Sequence, residues 1–358
     1  METLNVSKSK IHEVDFANLG FGNYVTDHMF SCEYKNNAWQ TASIVPFQNL
    51  ELAPTTLALH YGQTVFEGLK AFRMNDGNVS IFRIDKHYQR FKRSLERLCM
   101  PQVPFDLFSE GIKNLVTIDS AWVPTGEGTS LYIRPFMIAT EQRFGVKVSE
   151  EYKFIVFAGP VGAYYNEPLR VKIEDKYIRA AKGGTGFAKC GGNYGASFYP
   201  THQAKLLGFD QVIWTDGSPE LYIEESGTMN ILFVIDGTVV TPPLSDTILD
   251  GITRDSFLSL AMDMGYKVSE QKISALELIQ LHQAGKLEEA FGAGTAAVAS
   301  PIKTIHILET DYNLPNISNQ HFSQKAKKLL TDIRMGISPD KYGWNTVLKT
   351  KVKKYSAI

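Results

Sequence analysis

The sequence predicts an α/β (α+β) chain of two domains, and three observations point to that class. Its 358 residues exceed what a single core usually serves. The first half mixes strand-like runs with amphipathic helical ones, whereas the second is dominated by short strand signals and Asp-Gly turns. Between them, residues 159–169, GPVGAYYNEPL, gather glycine, proline and asparagine. The expected division is a small α/β domain over 1–159, an interdomain loop over 160–171 and a larger strand-rich domain over 172–358.

In the first half, NVSIFRIDKHYQRFKRSLERLCMP reads as a strand running into a helix. Asp85 suits its N-cap, the apolar stripe runs Tyr88, Phe91, Leu95 and Leu98, and Pro101 ends it. SLYIRPFMIAT and YKFIVFAG are rich in β-branched and aromatic residues and predict buried strands. In the second half, Asp216-Gly217 and Asp236-Gly237 are dipeptides that suit two-residue hairpins. LDGITRDSFLSLAMDMGY predicts a helix from near Thr253 that stops at Gly265. The closing RMGISPDKYGWNTVL reads as a loose end on the surface.

Composition narrows the function. Apolar residues are 44%, charged residues 21% and the formal net charge is −1, so nothing recommends a nucleic-acid or membrane-surface partner. The polar opening METLNVSKSKIHEVDF has the pattern of neither a signal peptide nor a presequence, and no apolar run approaches membrane-spanning length. Cys32, Cys99 and Cys190 are odd in number and widely spaced, which suits reduced thiols. A cytoplasmic protein is expected.

The tract GTGFAKCGGNYG sets Lys189 among five glycines, with no charge within five positions on either side. An exposed lysine holds its proton up to a pH of about 10.4, and desolvation lowers that value, as Schiff-base chemistry requires. A solvated loop lysine is the bland alternative. LYIEESGTMN adds two carboxylates; strand alternation puts Glu225 on one face with Leu221 and Ile223, and Glu224 with Tyr222. An inward Glu225 needs a positive partner, either a ligand cation or an internal arginine. A secluded amine and an inward acid together match pyridoxal 5'-phosphate, which needs a lysine for its aldehyde, an acid for its ring nitrogen and donors for its phosphate. Ile252 and Thr253 at a helix start, and the Thr295 hydroxyl in FGAGTAA, are candidate donors.

The segments FGNYVTDHM, LHYGQTVFEGLKAFR, IFRIDKHYQRFKRS, LYIRPF, YIRAAKGGTGFAKCGGNYG, EESGTMN, TPPLSDTILDGITRDS and FGAGTAA span nearly the whole chain. Their order and content resemble the branched-chain amino acid aminotransferases of the fold type IV pyridoxal-phosphate enzymes. The resemblance implies a strand-rich pseudo-barrel for the second domain and a homodimer whose subunits close each other's pockets. It implies transamination of leucine, isoleucine and valine with 2-oxoglutarate, giving branched-chain 2-oxo acids and glutamate. By this likeness Lys189 takes the aldehyde and moves the substrate proton, Glu225 meets the ring nitrogen, and Tyr194 bonds the ring hydroxyl. Arg83 pairs with the phosphate, assisted by Arg179, Ile252, Thr253 and Thr295. Phe21, Tyr61, Phe66, Tyr132 and Tyr164 or Tyr165 line an apolar substrate pocket. Arg134 anchors the distal carboxylate of glutamate, while Thr228 and the backbone of Thr295, Ala296 and Ala297 take the α-carboxylate. Where some animal members carry a Cys-x-x-Cys pair, this chain has Ala297 and Ser300, so no thiol switch is expected there.

Other signals carry less. Residues 292–297, GAGTAA, match a dinucleotide pattern and define a nucleotide-binding alternative, but QAGKLEEAF is a poor lead strand and Pro301 stands where a helix should continue. Within the same fold, a D-amino acid transaminase or an aminodeoxychorismate lyase is the nearer alternative. The eight histidines are scattered, so no metal is expected. Asp27 and His28 suggest a hydrogen-bonded structural pair rather than a catalytic dyad.

Overall fold

The computed structural model describes residues 2–4, 6, 8–165 and 167–350. It divides into two compact units, Met1–Tyr164 with Thr331–Ile358, and Tyr165–Leu330. The change of unit falls inside the glycine- and proline-rich tract of residues 159–169. The described part of Thr331–Ile358, however, joins the first unit, against the expectation that 172–358 form one domain.

That difference has a hydrogen-bonding cause. The tail contains a strand, Asn345–Leu348, paired antiparallel with Val79–Phe82, so it is an edge strand of the first sheet and not a loose end. Asp340 fixes its start, accepting from the backbone N–H groups of Trp344 at 3.0 Å and Asn345 at 2.7 Å. Val79–Phe82 is buried throughout, and its open side needs a partner for its backbone groups.

In the first unit the sheet runs in the order Glu2–Thr3, Ser43–Pro46, His28–Lys35, Tyr152–Val161, Ser130–Ala139, Leu69–Arg73, Val79–Phe82, Asn345–Leu348. Helices Ile84–Arg97 and Phe105–Ile118 pack with it around Phe30, Phe91, Phe108 and Phe154. Ser130–Ala139 alternates strictly from Leu131 onward: Leu131, Ile133 and Met137 are buried, while Tyr132, Arg134 and Phe136 lie half-buried on the opposite face. This alternation presents Tyr132 and Arg134 together.

Helix Ile84–Arg97 starts two residues before the expected position. Its N-cap is Arg83, with a left-handed φ of 52°, and Asp85 sits in the first turn. The buried stripe also includes two ionisable residues the apolar pattern passes over, His87 and Arg90. Both close on the fully buried Glu67: Arg90 Nε reaches Oε1 at 2.7 Å and Nη2 reaches Oε2 at 2.9 Å, while His87 Nδ1 lies 2.8 Å from Oε2. Asp27 and His28 do not bond each other. His28 Nδ1 meets Asp119 at 2.7 Å, and Asp27 takes Ser9 and the Trp122 indole.

In the second unit, six strands close into a ring: Ile223–Ser226, Gln211–Thr215, Leu169–Ile173, Val298–Ile307, Leu287–Gly294 and Met229–Ile235, the last pairing back to the first. Val171, Ile213, Ile223, Ile231, Phe233, Ile302 and Ile305 belong to one buried cluster, and the expected barrel-like sheet is thereby realised. Asp236-Gly237 makes the expected two-residue hairpin, with φ of 48° and 69°. Asp216-Gly217 does not; it opens a longer loop running to Tyr222, because Asp216 Oδ1 instead accepts from the N–H groups of Ser218 and Tyr222. Helix Ile252–Asp263 begins within a residue of the predicted start.

Gly292–Gly294 ends a strand, so QAGKLEEAF does lead into one. A three-residue turn and the strand Val298–Ile307 follow, with no helix. The strand–turn–helix that a dinucleotide needs is therefore missing here.

Candidate active site

The site in the second unit is organised by an irregularity in the ladder. Trp214 pairs with Glu225 and Thr215 pairs with Ile223, so Glu224 is an extra residue on the strand Ile223–Ser226. Such a bulge breaks the period of two. Glu225 therefore shares a face with Trp214, not with Ile223 as strict alternation predicts, and Ile223 joins the cluster of apolar residues with Ile213. Both carboxylates are buried, Glu224 at 6% exposure and Glu225 at 4%.

Each carboxylate has its own partners. Arg179 Nε lies 2.7 Å from Glu225 Oε2, while Oε1 accepts from the Leu249 N–H at 2.9 Å and from Asn230 Nδ2 at 3.3 Å. Arg179 Nη2 also donates to the carbonyls of Gly186, at 3.0 Å, and Thr247. Arg179, expected beside a phosphate, is thus committed to the acid. Glu224 Oε1 accepts from the Thr247 hydroxyl. Burial pushes the Glu224 carboxyl above its ordinary range; the Thr247 bond and Arg179 oppose that, and the charges of Glu225 and Asp216 reinforce it.

Lys189 is half-buried just before helix Gly191–Leu206, and its Nζ donates to the Tyr194 hydroxyl at 3.0 Å. Asn193, which sequence reasoning missed, locks this turn. Its amide donates to the carbonyls of Thr185 and Ala188, both at 2.9 Å, and its Oδ1 accepts from Thr185 Oγ1 at 2.7 Å. An asparagine inside a glycine tract carries no local signature of this role; only the returning chain shows its targets. The glycines admit a second segment: a Cβ at Gly186 would fall 2.6 Å from the Thr247 backbone.

The other end is built by helix Ile252–Asp263. Ile252 and Thr253 occupy its first positions, both buried, after an N-cap at Gly251. A Cβ at Gly251 would lie 1.7 Å from Asn230 Oδ1, and Asn230 Nδ2 donates to the Leu249 carbonyl at 2.9 Å. Asn230 therefore ties the Glu225 carboxylate to the loop that begins the helix. Arg179, Tyr194, Glu225, Thr228 and Leu249 line one cleft. Thr295, Ala296 and Ala297 form the half-buried turn between the last two ring strands. These residues fit pyridoxal phosphate: an amine beside a phenol, a buried acid held by an arginine, and a helix N-terminus that only glycine can precede.

In the first unit, Arg83 is 8% exposed, its guanidinium 5.0 Å from the Trp344 ring centre. The Phe21 ring meets Tyr132 and Tyr164 edge-on, with centroids 5.1 and 5.0 Å apart. Arg134 lies over Phe66 at 4.8 Å, its Nη2 donates to the Tyr132 hydroxyl at 3.3 Å, and its buried Nε has no hydrogen-bond partner among the described residues. Gly68 makes room, since a Cβ there would stand 1.9 Å from the Tyr132 hydroxyl. Tyr61 is exposed at the end of the short helix Leu57–Tyr61. Tyr164 and Tyr165 separate: Tyr165, in the second unit, packs against that unit's core and its hydroxyl accepts from Gln211 at 3.1 Å.

The amino-transferase class IV family matches residues 64–305. A probable branched-chain-amino-acid aminotransferase of Staphylococcus epidermidis is 46% identical over 346 residues, covering 95% of each chain. The branched-chain-amino-acid aminotransferase 2 of Bacillus subtilis is 44% identical over 347 residues, covering 96% of each. Among solved structures, the branched-chain aminotransferase of Thermoproteus uzoniensis with norvaline superposes with a TM-score of 0.74 at 26% identity, covering 89% of this chain and 99% of that one. The T.th. branched-chain amino acid aminotransferase complexed with N-(5'-phosphopyridoxyl)-L-glutamate gives 0.71 at 27% identity, covering 88% and 97%.

Proposed function

The chain belongs to the class IV aminotransferases, and from that premise we propose how its own residues carry out the transfer. It is a pyridoxal-phosphate-dependent branched-chain-amino-acid transaminase, and the D-amino acid, lyase and nucleotide-binding alternatives are not favoured. Its substrates are leucine, isoleucine and valine with 2-oxoglutarate. The observation that carries the residue assignments is the Lys189–Tyr194 pair in the same unit as a buried, arginine-held Glu225.

Pyridoxal phosphate, when bound, supplies an aldehyde carbon and a ring that withdraws electrons from the bond being broken. Lys189 supplies the amine that captures the aldehyde, and afterwards the base that moves the proton at the α-carbon. Tyr194, 3.0 Å from Nζ, orients that amine. Glu225 holds the proton on the ring nitrogen, and Arg179 fixes the carboxylate that does so. Ile252 and Thr253 offer helix-terminal donors to the phosphate, with the Thr295 hydroxyl as a further donor.

On the first unit we assign Arg83 to the phosphate. Phe21, Phe66, Tyr132, Tyr164 and the exposed Tyr61 are assigned to the apolar side chain of the amino acid; Tyr165 is left out because it is part of its own unit's core. Arg134, with an unpartnered buried Nε among the described residues, is the anchor for the distal carboxylate of glutamate. Thr228, Ala296 and Ala297 are assigned to the α-carboxylate.

We further propose a cytoplasmic homodimer acting on small molecules alone, without nucleic acid or membrane. Free thiols at Cys32, Cys99 and Cys190 support the compartment, and the exposed Phe144, Val146 and Val148 on one loop support self-association. No described helix is long and apolar enough to cross a membrane, and no described cluster of residues could hold a metal ion. The test is a panel of amino donors and acceptors on purified protein with its absorption spectrum. Transfer from leucine, isoleucine and valine with a violet band bleached by borohydride is expected; activity confined to D-alanine would overturn the assignment.

A further inference from the structure

We propose that Glu224, the residue added by the bulge, is a positioning residue that balances Arg179 so that Glu225 keeps a full negative charge for the ring nitrogen. The inference rests on the assignment of Glu225 to that nitrogen. A carboxylate facing one guanidinium is already neutralised, and its hold on a second cation is correspondingly weak. Here a second buried carboxylate, Glu224, acts on the arginine that pairs with Glu225 and is joined to it through Thr247; with both acids ionised the group carries a single net negative charge before the ring cation arrives and none afterwards.

The connection runs through Thr247. Its hydroxyl donates to Glu224 Oε1, and its carbonyl accepts from the same Arg179 Nη2 that also reaches the Gly186 carbonyl. Ser245 Oγ lies 2.8 Å from Thr247 Oγ1 and steadies it. The other oxygen of Glu224, Oε2, is buried without a hydrogen-bond partner among the described residues. The ionisable groups acting on Glu224 are Arg179, Glu225 and Asp216. Without the bulge, Glu224 would follow the alternation and face away from Glu225.

The experiment follows the ring nitrogen by 15N NMR in holoenzyme loaded with 15N-labelled pyridoxal phosphate, across pH. Glu224→Gln keeps the shape and an acceptor for Thr247 but removes the charge. It is expected to lose the ring proton about one pH unit or more below the wild type, with kcat falling about tenfold and KM for leucine little changed. Glu224→Asp, which keeps the charge, should titrate within about half a unit of the wild type. Thr247→Val deletes the hydroxyl that favours an ionised Glu224 and should move the ring proton in the same direction as Glu224→Gln, so a folding failure of either variant leaves the other to decide. A Glu224→Gln titration superimposable on the wild type overturns the role while leaving the cofactor assignment standing. A wild type that retains no labelled cofactor overturns both.

Discussion

Trp214 and Glu225 stand opposite each other across the ladder, whereas the next rung joins Thr215 to Ile223. That one-residue offset turns Glu225 onto the Trp214 face, where Arg179, Asn230 and the Leu249 N–H meet it. Several expectations rest on this placement.

Lys189→Ala should abolish transfer in both directions, a loss of roughly 10⁴-fold or more, because both the aldehyde-capturing amine and the base disappear. The melting temperature should be nearly unchanged, as the turn is locked by Asn193 rather than by Lys189. Mass spectrometry after borohydride treatment should find the cofactor mass on wild-type Lys189 and none on the variant; label on another lysine would contradict the assignment.

Glu225→Gln should still bind pyridoxal phosphate yet turn over about a hundredfold more slowly, since a preorganised charge at the reacting ring is lost. Its neutral amide also breaks the direct ion pair with Arg179. Steady-state kinetics with leucine and 2-oxoglutarate check this, and an unaltered kcat would exclude the role.

Gly251→Ala puts a methyl group where Asn230 Oδ1 now lies, 1.7 Å from the ideal Cβ. Asn230 must move, and with it the link between Leu249 and Glu225. A stability loss of about 1–3 kcal/mol and a clearly weaker cofactor affinity are expected, read by thermal unfolding and fluorescence titration.

Glu67→Gln tests the buried triad of the first unit. Burial alone would raise the Glu67 carboxyl, but the charge and hydrogen bonds of Arg90, with those of His87, hold it well below the usual carboxylate range. A depressed value contributes stability above the unfolded carboxylate value of about 4.3 and loses it as pH falls toward the folded one. The variant should therefore be weaker by about 3 kcal/mol at neutral pH, and the gap should narrow in acid below that value. Urea midpoints across pH read the gap; one that stays constant into acid would refute the linkage.

Tyr164→Ala should raise KM for leucine about tenfold, because the ring sits on Phe21 in the assigned apolar lining. Tyr165→Phe removes the bond from Gln211, so it should cost about 1 kcal/mol of stability and leave the kinetics alone. Equal kinetic effects of the two would show that the division between them is wrong.

Much of the site was legible in the chain itself. A lone amine in a glycine tract, a double acid in a strand, and a Gly-Ile-Thr start to a helix are local features, and each stands where the sequence places it. What misled was reasoning that assumed regularity. Alternation put Glu225 beside Ile223, and only the ladder shows the extra residue between them. The tail looked loose because a strand of four residues has little local signal until its partner, Val79–Phe82, is in place. Likewise, Asn193, Asn230 and Thr247 are ordinary polar residues until the carbonyls and carboxylates they serve are brought to them from elsewhere in the sequence.

By itself, then, the amino-acid sequence determined the kind of chemistry and the class of fold, because side-chain chemistry and local backbone preference belong to each residue wherever it lies. Tertiary structure alone decided which arginine holds Glu225, that Glu224 is drawn into the same buried cluster, and that six strands close into a ring. Those outcomes depend on register between distant segments, and hydrogen bonding sets register only once the strands have met.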